Sequence, residues 1–111
     1  MSEFINHLDV IFREFGPVTS KKMFGGYGLY HQGIMFALVA DDQLYLKADN
    51  AVEKYFTEKS LPAFEYQKGT KIIKMSYFLA PDEIMDDSEL AAIWASRSFD
   101  AAKRNYKPKK K

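Results

Sequence analysis

The chain has 111 residues, one domain's worth of sequence, with 47% hydrophobic and 15% aromatic residues, enough to build a core and to exclude global disorder. It has no Cys, which removes disulfides, thiolate metal sites and Cys nucleophiles together. The net charge of +1 hides two unlike parts: residues 1 to 102 carry ten Lys and Arg against all fifteen Asp and Glu, a net of −5, and residues 103 to 111 carry +6. A body that repels phosphate is a poor candidate for a DNA-gripping domain, so any electrostatic attraction to nucleic acid would have to come from the tail.

Phe4, Leu8, Ile11, Phe12 and Phe15 recur at three- and four-residue spacing, with Ser2 placed to cap and Gly16-Pro17 to stop, which predicts an amphipathic helix over residues 3 to 15. From Met23 the period shortens. Tyr27 to His31, Ile34 to Ala40 and Gln43 to Lys47 read as strands, separated by Gln32-Gly33 and Asp41-Asp42. Turns that short join antiparallel neighbours. The middle strand is apolar at both parities, as suits a strand covered on both faces. Asn50, with Glu53 three residues on, predicts a cap for a short helix carrying Val52, Tyr55 and Phe56 and ending near Lys59. Phe64 to Lys68 and Ile72 to Leu79 flank Gly69-Thr70 as a second hairpin, with Ile73, Met75, Tyr77 and Leu79 on one face, and Pro81 breaks the ladder.

Asp86 or Asp87 caps a last helix from about Ser88 to Asn105, whose main stripe is Leu90, Ile93, Trp94 and Ala101. Ala91, Ala95, Phe99, Ala102 and Tyr106 give it a second apolar face. That width fits either a helix wedged between two elements of its own domain or self-association, so Ala95, Phe99 and Tyr106, with Tyr77 of the sheet, are candidate protein-interface residues. The order α-β-β-β-α-β-β-α predicts an α+β fold, a two-layer arrangement of helices on an antiparallel sheet. The domain is expected over residues 1–105, with 106–111 as a basic disordered tail.

Little in the chain looks catalytic. His7 and His31 are the only histidines, and neither has a neighbour at the spacing of a triad or a zinc site. Asp41-Asp42 reads as a turn and Asp86-Asp87 as a cap, without the alternating oxygen ligands of a calcium loop. Gly25-Gly26-Tyr27-Gly28 precedes a strand, whereas a phosphate loop follows one, so these glycines are expected to serve close backbone approach or positive φ at a helix-to-strand entry. Lys22, Phe24 and Gly25 weakly resemble the aromatic octamer of RNA-recognition domains, but the remaining aromatics and the βαββαβ order are missing. Tyr27, Tyr30, Tyr45, Tyr66 and Tyr77 fall on strands, where a protein surface is the better functional reading than bases. Lys107, Lys109, Lys110 and Lys111 are the candidate nucleic-acid contacts. The longest apolar run, Ile34 to Ala40, is far below the ~20 residues of a membrane helix. With no signal-peptide pattern, a cytoplasmic location is the expectation.

The run Lys22-Met23-Phe24-Gly25-Gly26-Tyr27-Gly28-Leu29-Tyr30, continued by Gly33 to Val39 and Asp42 to Lys47, resembles the N-terminal domain of the TfoX/Sxy competence-regulator family. Pro62-Ala63-Phe64, Tyr66, Lys68-Gly69, Met75-Ser76-Tyr77, Pro81 and Trp94-Ala95 continue the likeness over roughly residues 2 to 103. The motif residues are Met23, Phe24, Gly25, Gly26 and Gly28. The resemblance implies a non-enzymatic bacterial module without a cofactor, similar in fold to secretion chaperones, and a homodimer. It further implies positive regulation of natural-transformation genes together with the cyclic-AMP receptor protein, in proteins that carry a further C-terminal domain. It supplies no catalytic residues to carry over.

Overall fold

The computed structural model describes residues 3–23 and 26–106. The first apolar stripe forms α1 (Glu3–Ile11), which is shorter than its periodicity predicts. The backbone tightens into turns over residues 12 to 15, with the Phe15 and Gly16 amides both donating to the Phe12 carbonyl, at 2.9 and 3.0 Å. Phe12 stays fully buried, and Phe15 is carried across to stack near Phe36 and Phe99.

Six strands follow: β1 (Thr19–Met23), β2 (Gly26–His31), β3 (Ile34–Ala40), β4 (Gln43–Lys47), β5 (Ala63–Lys68) and β6 (Lys71–Leu79). They form one sheet in the order β1-β2-β3-β4-β6-β5, with every neighbouring pair antiparallel. The fold class is therefore α+β, as predicted, with four strands rather than three before the second helix. The extra strand, Thr19-Ser20-Lys21-Lys22-Met23, is polar because it is a sheet edge, where lysines discourage further pairing. Its composition hid it from a search for apolar alternation.

The two predicted turns have the backbone their residues allow. Gln32 and Gly33 have φ of 53° and 80°, and Asp41 and Asp42 have φ of 53° and 58°. Left-handed geometry at both central positions matches the right-handed twist of the strands, and Asp tolerates it better than most residues. Gly26 enters β2 beside a strand rather than after a helix, since Met23 pairs with Gly26 across the end of β1 and β2. Gly26 is required by proximity: a Cβ there would stand 1.9 Å from the Val39 carbonyl oxygen. Phe24 and Gly25 lie outside the described residues.

The second helix, α2 (Glu53–Thr57), has no side-chain cap at its first turn. Asp49, and not Asn50, organises its entry by accepting the Ala51 amide at 3.0 Å. After β6, Pro81 opens a short 3-10 helix (Asp82–Asp86), and Asp87 caps α3 (Ser88–Arg104) by accepting the Leu90 amide at 3.0 Å. Lys103 and Arg104 lie in the last turn of α3, where positive charge suits the helix dipole.

All helices pack on one side of the sheet. Leu29, Ala37, Val39, Leu44, Leu46 and Phe78 face them from the strands and join one core with Leu8, Ile11, Phe12, Phe56, Ile84, Trp94 and Phe99. Phe56 stacks on Phe78 with ring centres 5.3 Å apart and meets Trp94 edge-on at 5.1 Å. The inner stripe of α3 is Ala91, Trp94, Ala95, Ser98, Phe99, Ala101 and Ala102. Ile93, assigned to that stripe from its spacing, is 49% exposed.

Candidate interaction face

The helices leave the opposite face of the sheet without a covering layer. Strand alternation decides what stands there. Leu44 and Leu46 point to the helices, so Tyr45 and Lys47 point away; Gly28, Leu38, Tyr45 and Leu79 then line up across four strands. A second row holds Tyr30 opposite Met35 and Lys47 opposite Tyr77. Aromatic edges and lysine stems cover the face from within. Tyr45 meets Phe64 edge-on at 4.9 Å, the Lys21 ammonium lies 5.1 Å from the centre of the Tyr30 ring, and that of Lys47 lies 5.2 Å from the centre of Tyr77. Leu38 is only 3% exposed. The apolar reading of β3 at both parities therefore holds, with the second side sheltered by the side chains of its own sheet.

Burial shapes the titration of this face. It pushes the Tyr77 phenol up to about 12, helped by the neighbouring Tyr30, raises Tyr45 with a contribution from Asp41, and lowers the Lys47 ammonium. The upward shifts keep both phenols neutral near pH 7, so the face presents phenol hydroxyls beside lysine side chains.

A bulge shapes one end. Leu29 pairs with Ala37 but Tyr30 pairs with Met35, so Phe36 is an extra residue in β3 and turns inward against Phe12, 5.7 Å away. Beyond it the β3–β4 ladder stops at Ala37 and Leu46. The last turn of α3 passes beneath this seam and is clamped to the end of β4. Arg104 donates through Nε and Nη2 to the two Asp49 oxygens at 2.8 and 3.0 Å, and Asn105 Nδ2 donates to Oδ2 at 3.2 Å. The Arg104 guanidinium beside Asp49 holds its carboxyl down to about 2.

The predicted interface residues divide in this fold. Ala95 and Phe99 are buried in the core, with Phe99 edge-on to Phe15 at 5.9 Å and to His31 at 4.8 Å. The second apolar face of α3 is thus filled by α1's end and the β2–β3 turn, and a partner reaches it only by opening the domain. Tyr106 is 49% exposed, and Tyr77 belongs to the uncovered sheet face although its neighbours bury it. Lys107, Lys109, Lys110 and Lys111 lie outside the described residues. Met23, Gly26 and Gly28 frame the first hairpin. A Cβ on Gly28 would come within 2.6 Å of the Met23 sulfur and 3.1 Å of that of Met35. Sequence reasoning singled out the strand tyrosines but missed Lys21, Lys47 and Met35 beside them; the alternation Leu44-Tyr45-Leu46-Lys47 carried the signal.

Among the described residues neither histidine meets an ionisable partner. His31 Nδ1 lies 2.7 Å from the Pro17 carbonyl oxygen with its ring against Phe15, and His7 is exposed on α1. Among the described residues no three His, Asp or Glu side chains cluster as metal ligands, and no helix is long and apolar enough to cross a membrane.

The fold defines a small α+β domain built on one antiparallel sheet, with its helices on one side and an aromatic surface on the other. The model of the TfoX N-terminal domain family matches residues 10–102, and the chain belongs to that family. It is 35% identical over 78 residues to the DNA transformation protein TfoX1 of Aliivibrio fischeri, an alignment covering 67% of this chain. The same alignment spans 37% of that relative's length.

Proposed function

We propose that the chain is a non-enzymatic interaction module in the control of DNA-uptake genes, docking a protein partner on the uncovered sheet face. The carrying observation is that face itself: a sheet with all its helices on one side presents Tyr30, Tyr45 and Phe64 on the other, packed over the buried Tyr77. Rigid aromatic side chains backed by a sheet give large contact area at low entropic cost, which is why they dominate binding hot spots. The relative's name, DNA transformation protein, supports the biological setting. The partners to test are a second copy of this chain and, by family resemblance, the cyclic-AMP receptor protein. A transcriptional reporter driven by a competence promoter provides the test. Tyr45→Ala and Phe64→Ala should each reduce output by about fivefold or more, the loss of one hot-spot side chain, while leaving thermal melting within a few degrees. Undiminished output from both variants rejects the sheet face as the docking surface.

The charge of residues 103–111 favours a second reading, sequence-independent nucleic-acid binding. Of the six cations there, Arg104 pairs with Asp49 and Lys103 lies 4.0 Å from Asp100, which leaves four tail lysines to meet phosphate. Deleting residues 107 to 111 should then lower the slope of log affinity against log salt by about 3 to 4 for duplex DNA. An unchanged slope removes the reading.

A further inference from the structure

The seam where β3 and β4 part is a concave feature that the docking of a partner on the flat sheet does not explain. The extra residue Phe36 turns β3 aside, the ladder stops at Ala37 and Leu46, and a cleft of about 260 Å³ opens between Met35 on one strand and Lys47 on the other. Tyr30 and Tyr77 line it from the sheet, and Ala102 and Tyr106 line it from the end of α3.

The chemistry of this cleft is one-sided. Lys47 is only partly exposed, and among the described residues its ammonium has no carboxylate within ion-pair distance; its contact is the face of Tyr77. The nearest acid along the chain, Asp49, acts on the ammonium only from beyond ion-pair distance, and its oxygens accept from Arg104 and Asn105. Among the described residues neither the Tyr30 nor the Tyr77 hydroxyl hydrogen-bonds to a protein group, and Tyr30 lies close enough to help raise the Tyr77 phenol. A partly buried ammonium with no ion-paired carboxylate, flanked by two phenol donors with no acceptor among the described residues, is an arrangement that one ligand relieves. That ligand carries negative charge and accepts several hydrogen bonds. The remaining walls, Met35, Ile34, Ala102 and the ring of Tyr77, ask for an apolar body attached to it.

We propose that the β3–β4 seam is a binding site for a small carboxylate with an apolar or aromatic body, ion-paired to Lys47 and hydrogen-bonded by the hydroxyls of Tyr30 and Tyr77. The cleft lies just below the roughly 300–1,000 Å³ of drug-sized pockets, which sets the ligand at the size of a single ring or a short chain. The other cleft of about 260 Å³, beside Asp49, Glu53 and Ser76, lacks an unpaired cation and does not share this chemistry. Because Ala102, Asn105 and Tyr106 line the seam, an occupant also touches the end of α3.

Sodium benzoate is the probe, titrated into the full chain while two-dimensional amide spectra are recorded at constant ionic strength, with inorganic phosphate in a parallel series. The site predicts saturable shifts at Met35, Lys47, Tyr77 and Asn105, with a Kd on the order of 1 mM for so small a ligand. Lys47→Met, which keeps the stem and removes the charge, weakens binding by tenfold or more. Tyr30→Phe, which removes one hydroxyl and leaves the fold's packing untouched, weakens it about fivefold. Non-saturating shifts, equal affinity in Lys47→Met or in Tyr30→Phe, or phosphate shifts of the same size and pattern each overturn the assignment. If Lys47→Met fails to fold, the Tyr30→Phe comparison decides alone.

Discussion

Gly26 and Ser98 show how far single atoms govern this domain. The strand around Gly26 runs so close to Val39 that a methyl group has no room, since its carbon would fall 1.9 Å from a backbone oxygen that cannot rotate away. Gly26→Ala is expected to cost about 3 kcal/mol or more in urea unfolding, at the upper end of overpacking penalties. Ser98 is the reverse case. It is fully buried in α3, and its hydroxyl has no hydrogen-bond partner in the described structure. Ser98→Ala removes that unmet demand and should leave stability unchanged or raise it by about 1 kcal/mol, seen as a higher melting temperature. Asp49 sets a pH dependence. Its carboxyl titrates near 2 when paired with Arg104 and near 4 in an unfolded chain. Its contribution is complete above pH ~4 and fades as pH falls through ~2. Asp49→Asn should therefore lower stability by at most about 1 kcal/mol at pH 7, because the pair is partly solvated, with the gap from wild type closing on acidification toward pH 2.

At the scale of elements, caps and turns account for what the sequence showed clearly, and edges for what it concealed. Asp87 holds the start of α3, the helix that carries most of the inner stripe. Asp87→Ala should cost about 1 kcal/mol, read by chemical denaturation. Both polar dipeptide turns and the β5–β6 hairpin were legible from two-residue spacings, because left-handed geometry admits few residue types. β1 was not legible: an edge strand of Thr, Ser and Lys gains its hydrogen bonds from β2 and its burial from almost nothing. Ile93 misled in the opposite sense, since a 3.6-residue period cannot say which edge of an apolar stripe the neighbours reach.

For the whole molecule, the question is what faces the uncovered side of the sheet. With Phe99 inside the core, Phe99→Asp places a charge among Phe15, His31 and Lys103, and it should unfold the domain rather than change its association. Self-association is better tested at Tyr45. If a second copy is the partner, light scattering at high micromolar concentration gives a dimer for the wild type and a monomer for Tyr45→Asp. A wild-type monomer under those conditions removes self-association through this face.

Periodicity and turn chemistry determined the α+β class, the hairpins and the last helix, because these depend on residues within a few positions of one another. The Met-Phe-Gly-Gly run likewise carried its family resemblance on its surface. Tertiary structure alone decided that Ala95 and Phe99 are interior, that Lys47 has no ion-paired carboxylate among the described residues, and that β3 and β4 part at Phe36. Each of those facts depends on atoms brought together from distant stretches of chain, and no local pattern encodes such meetings.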